Sequence, residues 1–275
     1  MHYSILLRHQ RATSGRGQAR ETSTCDVIQA VPEDVRTELS LDSFYHKYTD
    51  AYGIPILSSS QVADEALQRA CYVVRVMLAD RKDVRDALHD GHGRVAIIGI
   101  TELTTDIPEH SFLPDVFNDR ARGLGGITYV PITSVSEENL LCLGEHRDRW
   151  YEEDLLVHEF AHSIHIWGIN KVDPTFQTNL EAAYKNASEA GLWRNTYAIS
   201  RSMEYFAEGV QKFFNVDTHR DITDGIHNNI STHEELMQYD KTLFDIISEV
   251  FPCGNEVISR CHNQSKYMNT TMNVR

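Results

Sequence analysis

The sequence predicts an α+β fold, with a small twisted sheet formed mainly by the first half of the chain and several helices in the second half. Two strand-like stretches lie between residues 94 and 132, whereas helical patterns cover most of residues 150–250. Of the 275 residues, 41% are hydrophobic and 24% are charged. These values are typical of a globular protein with one substantial core. This order of segments favours a single α+β domain.

The first half of the chain carries one helical segment and one clear strand. Ser60 can cap a helix, because the apolar side chains that follow it recur at helical spacing as far as Leu78. Asp83–Leu88 extends the same pattern. The run Arg94–Ile100, "RVAIIGI", is rich in β-branched residues and bounded by turn residues, so it predicts a buried strand.

A second strand is predicted over Gly123–Ile132, "GLGGITYVPI", which is glycine-rich at first and then β-prone. Pro131 lies near its end. Because proline lacks the N–H that a neighbouring strand needs, this strand is expected at an edge of the sheet. An edge around Gly125–Val130 could pair with the backbone of an extended peptide.

Four helices are predicted in the second half from apolar periodicity and from start and stop signals. They cover Trp150–Trp167, Pro174–Ala190, Ser200–Phe214 and Thr232–Val250. Gly168 and Gly191 end the first two helices, and Pro252 follows the last. Thr232 and Glu235 form a capping-box pair at the start of the last helix.

The N-terminal residues differ from the rest of the chain in composition. Residues 1–40 are polar and rich in Arg, Ser, Thr and Gly, which predicts a flexible extension before a domain of residues 41–275. The apolar patch Ile5–Leu7 is shorter than the roughly 7 residues of a signal-peptide core, so this segment predicts no export signal.

Charge and hydropathy argue against a nucleic-acid partner and against a membrane-spanning segment. The formal net charge is -14, and the lysines and arginines are scattered. Such a field repels phosphate backbones, so no nucleic-acid partner is expected. The longest apolar runs, such as Val95–Ile100, are too short to span a bilayer. Oligomeric state does not follow from these features.

Five cysteines form an odd set without the paired spacing of a thiolate zinc site. Cys253 and Cys261 are close enough in the chain for a local disulfide if the protein is exported. Five reduced cysteines in a cytoplasmic protein are the alternative.

The segment "EDLLVHEFAHSIHIWG" contains two histidines with helical spacing. Residues four apart lie on one face of a helix, so His158 and His162 can bind one ion, while Glu159 is offset by about 100° and can act as a general base. Burying two unsatisfied imidazoles in an apolar helix would cost several kcal/mol. A zinc-binding helix is therefore favoured over a core helix with coincidental histidines.

A catalytic zinc ion takes three protein ligands and keeps a further position for water. The extended motif HExxHxxGxxH is absent, because His165 and Gly168 occupy the positions of its glycine and its third histidine. The remaining candidate is a carboxylate on the later segment "TYAISRSMEYFAEGVQKFF".

Glu204 and Glu208 lie four residues apart in that segment and share a helix face. Glu204 would complete a His2Glu site, and Glu208 could accept the second N–H of a ligating histidine. Tyr197, almost two turns before Glu204, could donate a hydrogen bond to a developing oxyanion. A solvated acidic face and a half-buried tyrosine are the alternatives.

The pattern HEFAH followed by Y-x6-E-x-F-A-E resembles zinc peptidases related to the catalytic domain of anthrax lethal factor, within the gluzincin class. This resemblance implies a zincin-like metalloprotease fold with the HExxH segment as its active-site helix. It also implies Zn²⁺ bound by His158, His162 and Glu204, with Glu159 as the base and Tyr197 as an assisting phenol.

Over residues 45–251 the chain also resembles a set of zincin-like proteins that are apparently secreted. The segments that carry this likeness are "GIPILSS" at Gly53, "TTDIPEH" at Thr104, "RARGLGG" at Arg120, "EENLLC" at Glu137, "DPTF" at Asp173 and "THEELMQYD" at Thr232. Members often have a cysteine shortly before "EENLLC", where this chain reads "TSVS", so Cys142 lacks that partner. The resemblance implies an extracellular location; a cytoplasmic one is the alternative.

The expected function is zinc-dependent hydrolysis of a peptide or protein substrate, with Glu159 activating the attacking water. Two alternatives remain open. One is a zinc-binding recognition or toxin-like module with little or no proteolytic activity, and the other is a metal-free helical protein in which the motif is coincidental.

Overall fold

The computed structural model describes residues 25–252 and residue 258. In this part of the chain, helices pack against a six-stranded mixed sheet with the strand order β1-β2-β3-β4-β6-β5. The strands are β1 (Gln29–Ala30), β2 (Lys47–Ala51), β3 (Ile54–Ser58), β4 (Arg94–Ile98), β5 (Gly123–Leu124) and β6 (Ile132–Ser136). The architecture is thus mixed α/β, in agreement with the predicted combination of a sheet and helices.

The three central strands β3, β4 and β6 are parallel, and antiparallel strands complete both sides of the sheet. β2 and β3 form a hairpin whose two turn residues, Tyr52 and Gly53, have φ of 58° and 84°. A turn with both φ values positive matches the twist of the paired strands. Neither strand is predicted from the sequence, because Thr49 and Asp50 are polar yet buried and Pro55 lies within β3.

The strand predicted over Gly123–Ile132 is divided in the structure. Its first two residues form β5, the outermost strand, and the chain then turns through a bridge between Ile127 and Val130. β6 begins only after Pro131 and lies between β4 and β5 rather than at the edge. Pro131 disturbs nothing there, because its carbonyl accepts the Arg94 N–H at 3.0 Å and its missing N–H falls before the strand.

The α-helices of the described residues are α1 (Glu33–Glu38), α2 (Asp64–Met77), α3 (Lys82–Asp90), α4 (Val116–Arg120), α5 (Glu137–Leu140), α6 (Leu155–Ser163), α7 (Asn170–Val172), α8 (Phe176–Glu189), α9 (Ser202–Phe213), α10 (His233–Tyr239) and α11 (Lys241–Val250). Short 3₁₀ turns cover Thr104–Asp106, Pro108–His110 and Tyr197–Ser200, and a π-helical turn, Ile164–Ile169, continues α6.

Several predicted helix boundaries differ from those observed. α2 and α3 are separate helices, and α6 begins at Leu155 rather than at Trp150. The last predicted helix is two helices, because the Asp240 side chain caps α11 by accepting the Leu243 N–H. Its predicted start is observed: Thr232 and Glu235 form a reciprocal capping box before α10.

Part of the segment predicted as an N-terminal extension belongs to the sheet. β1 pairs with β2, α1 follows it, and a disulfide joins Cys25 to Cys71 on α2. The ordered fold therefore starts before residue 40, whereas residues 1–24 lie outside the described part. Cys142 is disulfide-bonded as well. The disulfide predicted between Cys253 and Cys261 also lies outside the described residues.

The main apolar core lies between one face of the sheet and the helices α2, α6, α8, α9 and α11. A smaller cluster on the opposite face includes Tyr45, Leu57 and Ile98. α6 contacts β6 on one side and α9 on the other. Full burial of a side chain such as Leu156 or Phe160 contributes about 1.5–3 kcal/mol, which holds α6 in the interior. Within the described part of the chain, no helix combines the length and the apolar character needed to cross a membrane.

Candidate metal centre

The histidine helix α6 begins with a well-defined cap. The Oδ1 atom of Asp154 accepts hydrogen bonds from two backbone amides of the first turn, at 3.1 and 3.3 Å. Its other carboxylate oxygen binds Arg69 at 2.8 Å. Because the helix starts here and its apolar residues face the core, His158 and His162 project together toward α9.

Glu204, in the first turn of α9, meets both histidines. Its Oε2 atom lies 3.1 Å from Nε2 of His158 and 3.2 Å from Nε2 of His162. All three residues are buried. Donors that share one tetrahedral zinc ion at about 2.0–2.1 Å lie roughly 3.3 Å apart. The two nitrogens and one oxygen therefore fit a His2Glu zinc site in both chemistry and spacing.

Arg201 orients the carboxylate of Glu204. Its Nε and one terminal nitrogen lie 3.0 and 2.5 Å from Oε1, which leaves Oε2 directed at the histidines. Burial raises the pKa of Glu204, but hydrogen bonds from His158 and His162 outweigh burial and hold the pKa well below its ordinary value. Glu204 is therefore a carboxylate, the form that binds metal. Arg201 is not among the site residues predicted from the sequence.

Gln211, also on α9, determines the tautomer of His158. Its Nε2 donates to Glu153 Oε2 at 2.9 Å, which directs its Oε1 at Nδ1 of His158, also at 2.9 Å. An amide oxygen only accepts, so Nδ1 carries a proton. A metal that displaces the Nε2 proton facing Glu204 therefore finds Nε2 as its ligand atom, with Nδ1–H held by Gln211. Gln211 is not among the predicted site residues, although it follows Glu204 by seven positions and so shares its helix face.

The role predicted for Glu208 is thus taken by Gln211. The Oε1 atom of Glu208 is 3.7 Å from Nδ1 of His158, beyond hydrogen-bond distance. Its Oε2 atom instead accepts from Lys212 at 3.0 Å, and Lys212 also binds Asp217. The buried ammonium group holds Glu208 away from the imidazole. For His162, no hydrogen-bond partner of Nδ1 is found within the described residues.

Glu159 lies beside the three candidate ligands and under a glycine-rich segment. A Cβ atom at Gly125 would be 2.6 Å from Cβ of His162, and one at Gly123 would be 3.1 Å from Cγ of Glu159. The chain can pass this close to α6 only because these residues lack side chains. The Gly125 backbone hydrogen-bonds the Glu159 carboxylate. Burial raises the pKa of Glu159 above its ordinary value, against the lowering effect of His158 and His162.

Tyr197 lies on the 3₁₀ turn immediately before α9. Its ring is nearly parallel to that of His158, with 6.4 Å between ring centroids and 24° between planes. The side chain is 40% exposed. Burial, followed by the charge of Glu204, raises the pKa of Tyr197 to about 12. The phenol therefore keeps its proton at neutral pH and can donate a hydrogen bond.

These residues line a single cleft of about 470 Å³. The segment of residues 120–127 forms one wall, and α6 and the start of α9 form the floor. The structure thus places His158, Glu159, His162, Tyr197 and Glu204 on the surface of one cleft that is open to solvent. Glu208 also reaches this cleft, but its carboxylate is held by Lys212.

Comparisons of the chain with protein-family models, with curated proteins and with solved structures find no match. Two imidazole nitrogens and one carboxylate oxygen converge in this cleft. A half-buried glutamate and a phenol lie beside them.

Proposed function

We propose that the chain is a zinc-dependent peptidase with a zincin-like arrangement of its active site. The observation that carries this proposal is the convergence of His158, His162 and Glu204 within one cleft, each offering a donor atom within 4.8 Å of the others. The donor set of two imidazoles and one carboxylate is that of catalytic zinc sites, which keep one further position open.

A bound Zn²⁺ ion would supply a Lewis acid that makes water nucleophilic at neutral pH and polarises the scissile carbonyl. Glu159 takes the proton of the attacking water and delivers it to the leaving amine. The raised pKa of Glu159 favours this exchange, because a base that also acts as an acid works best with a pKa nearer neutrality. Tyr197 donates its phenolic proton in a hydrogen bond to the developing oxyanion.

The outermost strand β5 supports a peptide as the substrate. β5 is part of the glycine-rich wall over Glu159. A peptide that pairs with β5 in an extended conformation would therefore have a backbone carbonyl near Glu159. This replaces the predicted edge over Gly125–Val130, which is a turn in the structure. The disulfide between Cys25 and Cys71 supports an oxidising, extracellular environment for the peptidase.

A digest of a mixed peptide library, analysed by mass spectrometry with and without a metal chelator, tests the proposal. We expect cleavage that stops on chelation and returns when Zn²⁺ is added back. A protein that holds zinc but cleaves no peptide in the library would contradict the proposal and favour a zinc-binding recognition module.

Two substitutions separate the chemistry from the metal. Glu159→Gln is expected to lower peptide turnover at least 100-fold while zinc stays bound, since it removes only the base. Glu204→Ala is expected to lose the zinc ion bound by the two histidines, since it removes their shared third ligand. Turnover and zinc content are measured on the same preparations. A Glu159→Gln protein that cleaves as fast as the parent would show that the assigned base is wrong.

A further inference from the structure

A second cluster of potential ligands lies at the end of the same cleft. It consists of Glu153, directly before the cap of α6, Asp217, after α9, and His227, in the long connection from α9 to α10. Glu153 lines the cleft, so the cluster has a route to solvent. Each of the three residues offers one donor atom within 4.8 Å of the other two.

The donor atoms of this cluster face one another, but two of them make no hydrogen bond. Nε2 of His227 is 3.5 Å from Oε1 of Glu153 and 3.9 Å from Oδ1 of Asp217. Nε2 of His227 and Oδ1 of Asp217 are buried without a hydrogen bond. The exposed fractions of the two side chains are 6% and 0%. Groups of this kind normally have a partner when buried, because leaving them unsatisfied costs about 1–3 kcal/mol each.

The ring of His227 is oriented as in a metal ligand. Its Nδ1 lies 3.3 Å from Oδ2 of Asp224, whose other oxygen accepts the backbone N–H groups of Ile226 and His227. A carboxylate on Nδ1 fixes a proton there and leaves Nε2 as the nitrogen that can bind a metal. Nε2 faces two carboxylate oxygens, a position that is filled either by a bound cation or by a proton on the imidazole.

The local charge also calls for a cation. Glu153, Asp217 and Glu208 contribute three carboxylates within one buried network, and Lys212 supplies a single ammonium group to two of them. Two negative charges are left when the imidazole of His227 is neutral. A divalent cation balances them, whereas carboxylates buried without compensation would be strongly unfavourable.

We propose that Glu153, Asp217 and His227 form a second divalent-cation site, and that Zn²⁺ is the ion it takes. One imidazole with two carboxylates is a donor set that zinc accepts, and the imidazole disfavours Ca²⁺ and Mg²⁺, which prefer oxygen ligands throughout. The separations of 3.5 and 3.9 Å are close to the roughly 3.3 Å between donors around one zinc ion.

The second site ties the connection after α9 to the histidine helix. Asp217 and His227 belong to the segment of residues 214–231, which has no regular helix or strand, and Glu153 anchors them beside α6. Glu153 also accepts from Gln211, which in turn binds His158. An ion at the second site thereby holds the hydrogen-bond chain that orients a ligand of the first.

Zinc content measured by elemental analysis, after equilibration with Zn²⁺ and removal of free ion, tests this inference without reference to peptidase activity. We expect about two ions per chain in the parent protein and about one in His227→Ala. A His162→Ala/Glu204→Ala background, which lacks the first site, should hold about one ion and lose it on addition of His227→Ala. In the background protein, Zn²⁺ should raise Tm; in the triple variant it should not.

The inference is overturned if the parent holds one ion and the His162→Ala/Glu204→Ala protein holds none, since a proton on His227 would then take the place of the metal. Uptake of Ca²⁺ without a second Zn²⁺ would also overturn it. If His227→Ala does not fold, the isosteric Asp217→Asn in the same background gives the same readout. A protein with two zinc ions and no peptidase activity would leave this site intact and contradict only the proposed function.

Discussion

Gln211 shows how one buried side chain can decide the metal-binding competence of another. Its amide is held in a single orientation because Nε2 donates to a carboxylate, so Oε1 can only accept from His158. Glu208 has the predicted spacing for the same role but is engaged by Lys212. Gln211 and Glu208 could both accept the Nδ1–H of His158. Gln211 does so because Lys212 binds the carboxylate of Glu208.

This competition predicts different effects for two substitutions on α9. Gln211→Met keeps the length of the side chain but removes the acceptor, so zinc affinity should fall about 10–100-fold. Glu208→Gln, the matched control, should change zinc affinity much less because its oxygen lies 3.7 Å from Nδ1 of His158. Competition with a chromogenic chelator measures both affinities. Equal losses in the two variants would show that Gln211 does not set the tautomer.

At the level of elements, the site depends on how closely the glycine-rich segment after β5 approaches α6. Gly125 and Gly126 lie where a Cβ atom would be 2.6 Å from Cβ of His162 and 2.5 Å from Oγ of Ser163. The Gly126 N–H donates to that same hydroxyl at 3.0 Å. The wall of the cleft is therefore fixed to the histidine helix by contact and by a hydrogen bond.

Gly125→Ala is expected to push the wall away from α6. Overpacking of this kind typically lowers the free energy of unfolding by about 1–3 kcal/mol, and here it should also weaken zinc binding because the clash is with His162 itself. Urea unfolding and zinc affinity are the measurements. Gly144→Ala is the control: with φ of 80° and open space around it, it should cost about 1–2 kcal/mol of backbone strain without affecting zinc. Unchanged zinc affinity in Gly125→Ala would contradict the proposed contact.

At the level of the whole molecule, burial of neutral histidines links stability to pH. His110 lies on the face of the sheet opposite the cleft helices, and its ring nitrogen is 2.9 Å from the hydroxyl of Ser134. Burial lowers the pKa of His110 from 6.5 to about 4. The unfolded chain therefore takes up a proton at a pH where the folded protein does not. The stabilising contribution of neutral His110 to the free energy of unfolding is complete above pH 6.5. It is progressively lost as the pH falls toward 4.

His110→Gln removes this pH dependence while keeping a polar group beside Ser134. Between pH 7.5 and pH 5 the parent should lose about 2 kcal/mol more than the variant, as follows from the pKa difference. Urea unfolding at both pH values measures the difference, and the other histidines cancel because both proteins carry them. Parallel losses in parent and variant would show that His110 is not neutral in the folded protein.

The sequence by itself determined those features that depend on neighbours along the chain. Helical spacing places His158 and His162 on one face, and the same geometry pairs Thr232 with Glu235. The spacing of Glu204 within an apolar helical segment made it the candidate for a third ligand, and the structure brings it to the two histidines. For the histidine pair and the capping box, the relevant distances are set by the regular rise and turn of a helix.

Only the tertiary structure decided which distant groups meet. In the folded protein, Nδ1–H of His158 donates to Gln211 rather than to Glu208, and β6 lies inside the sheet. Glu153, Asp217 and His227 also lie together. The hairpin of β2 and β3 is of the same kind, since its polar residues are buried by contacts made elsewhere in the chain. Such contacts join residues far apart in sequence. They form because the packing of the whole fold buries these polar and charged groups together, and buried groups of this kind have to be paired.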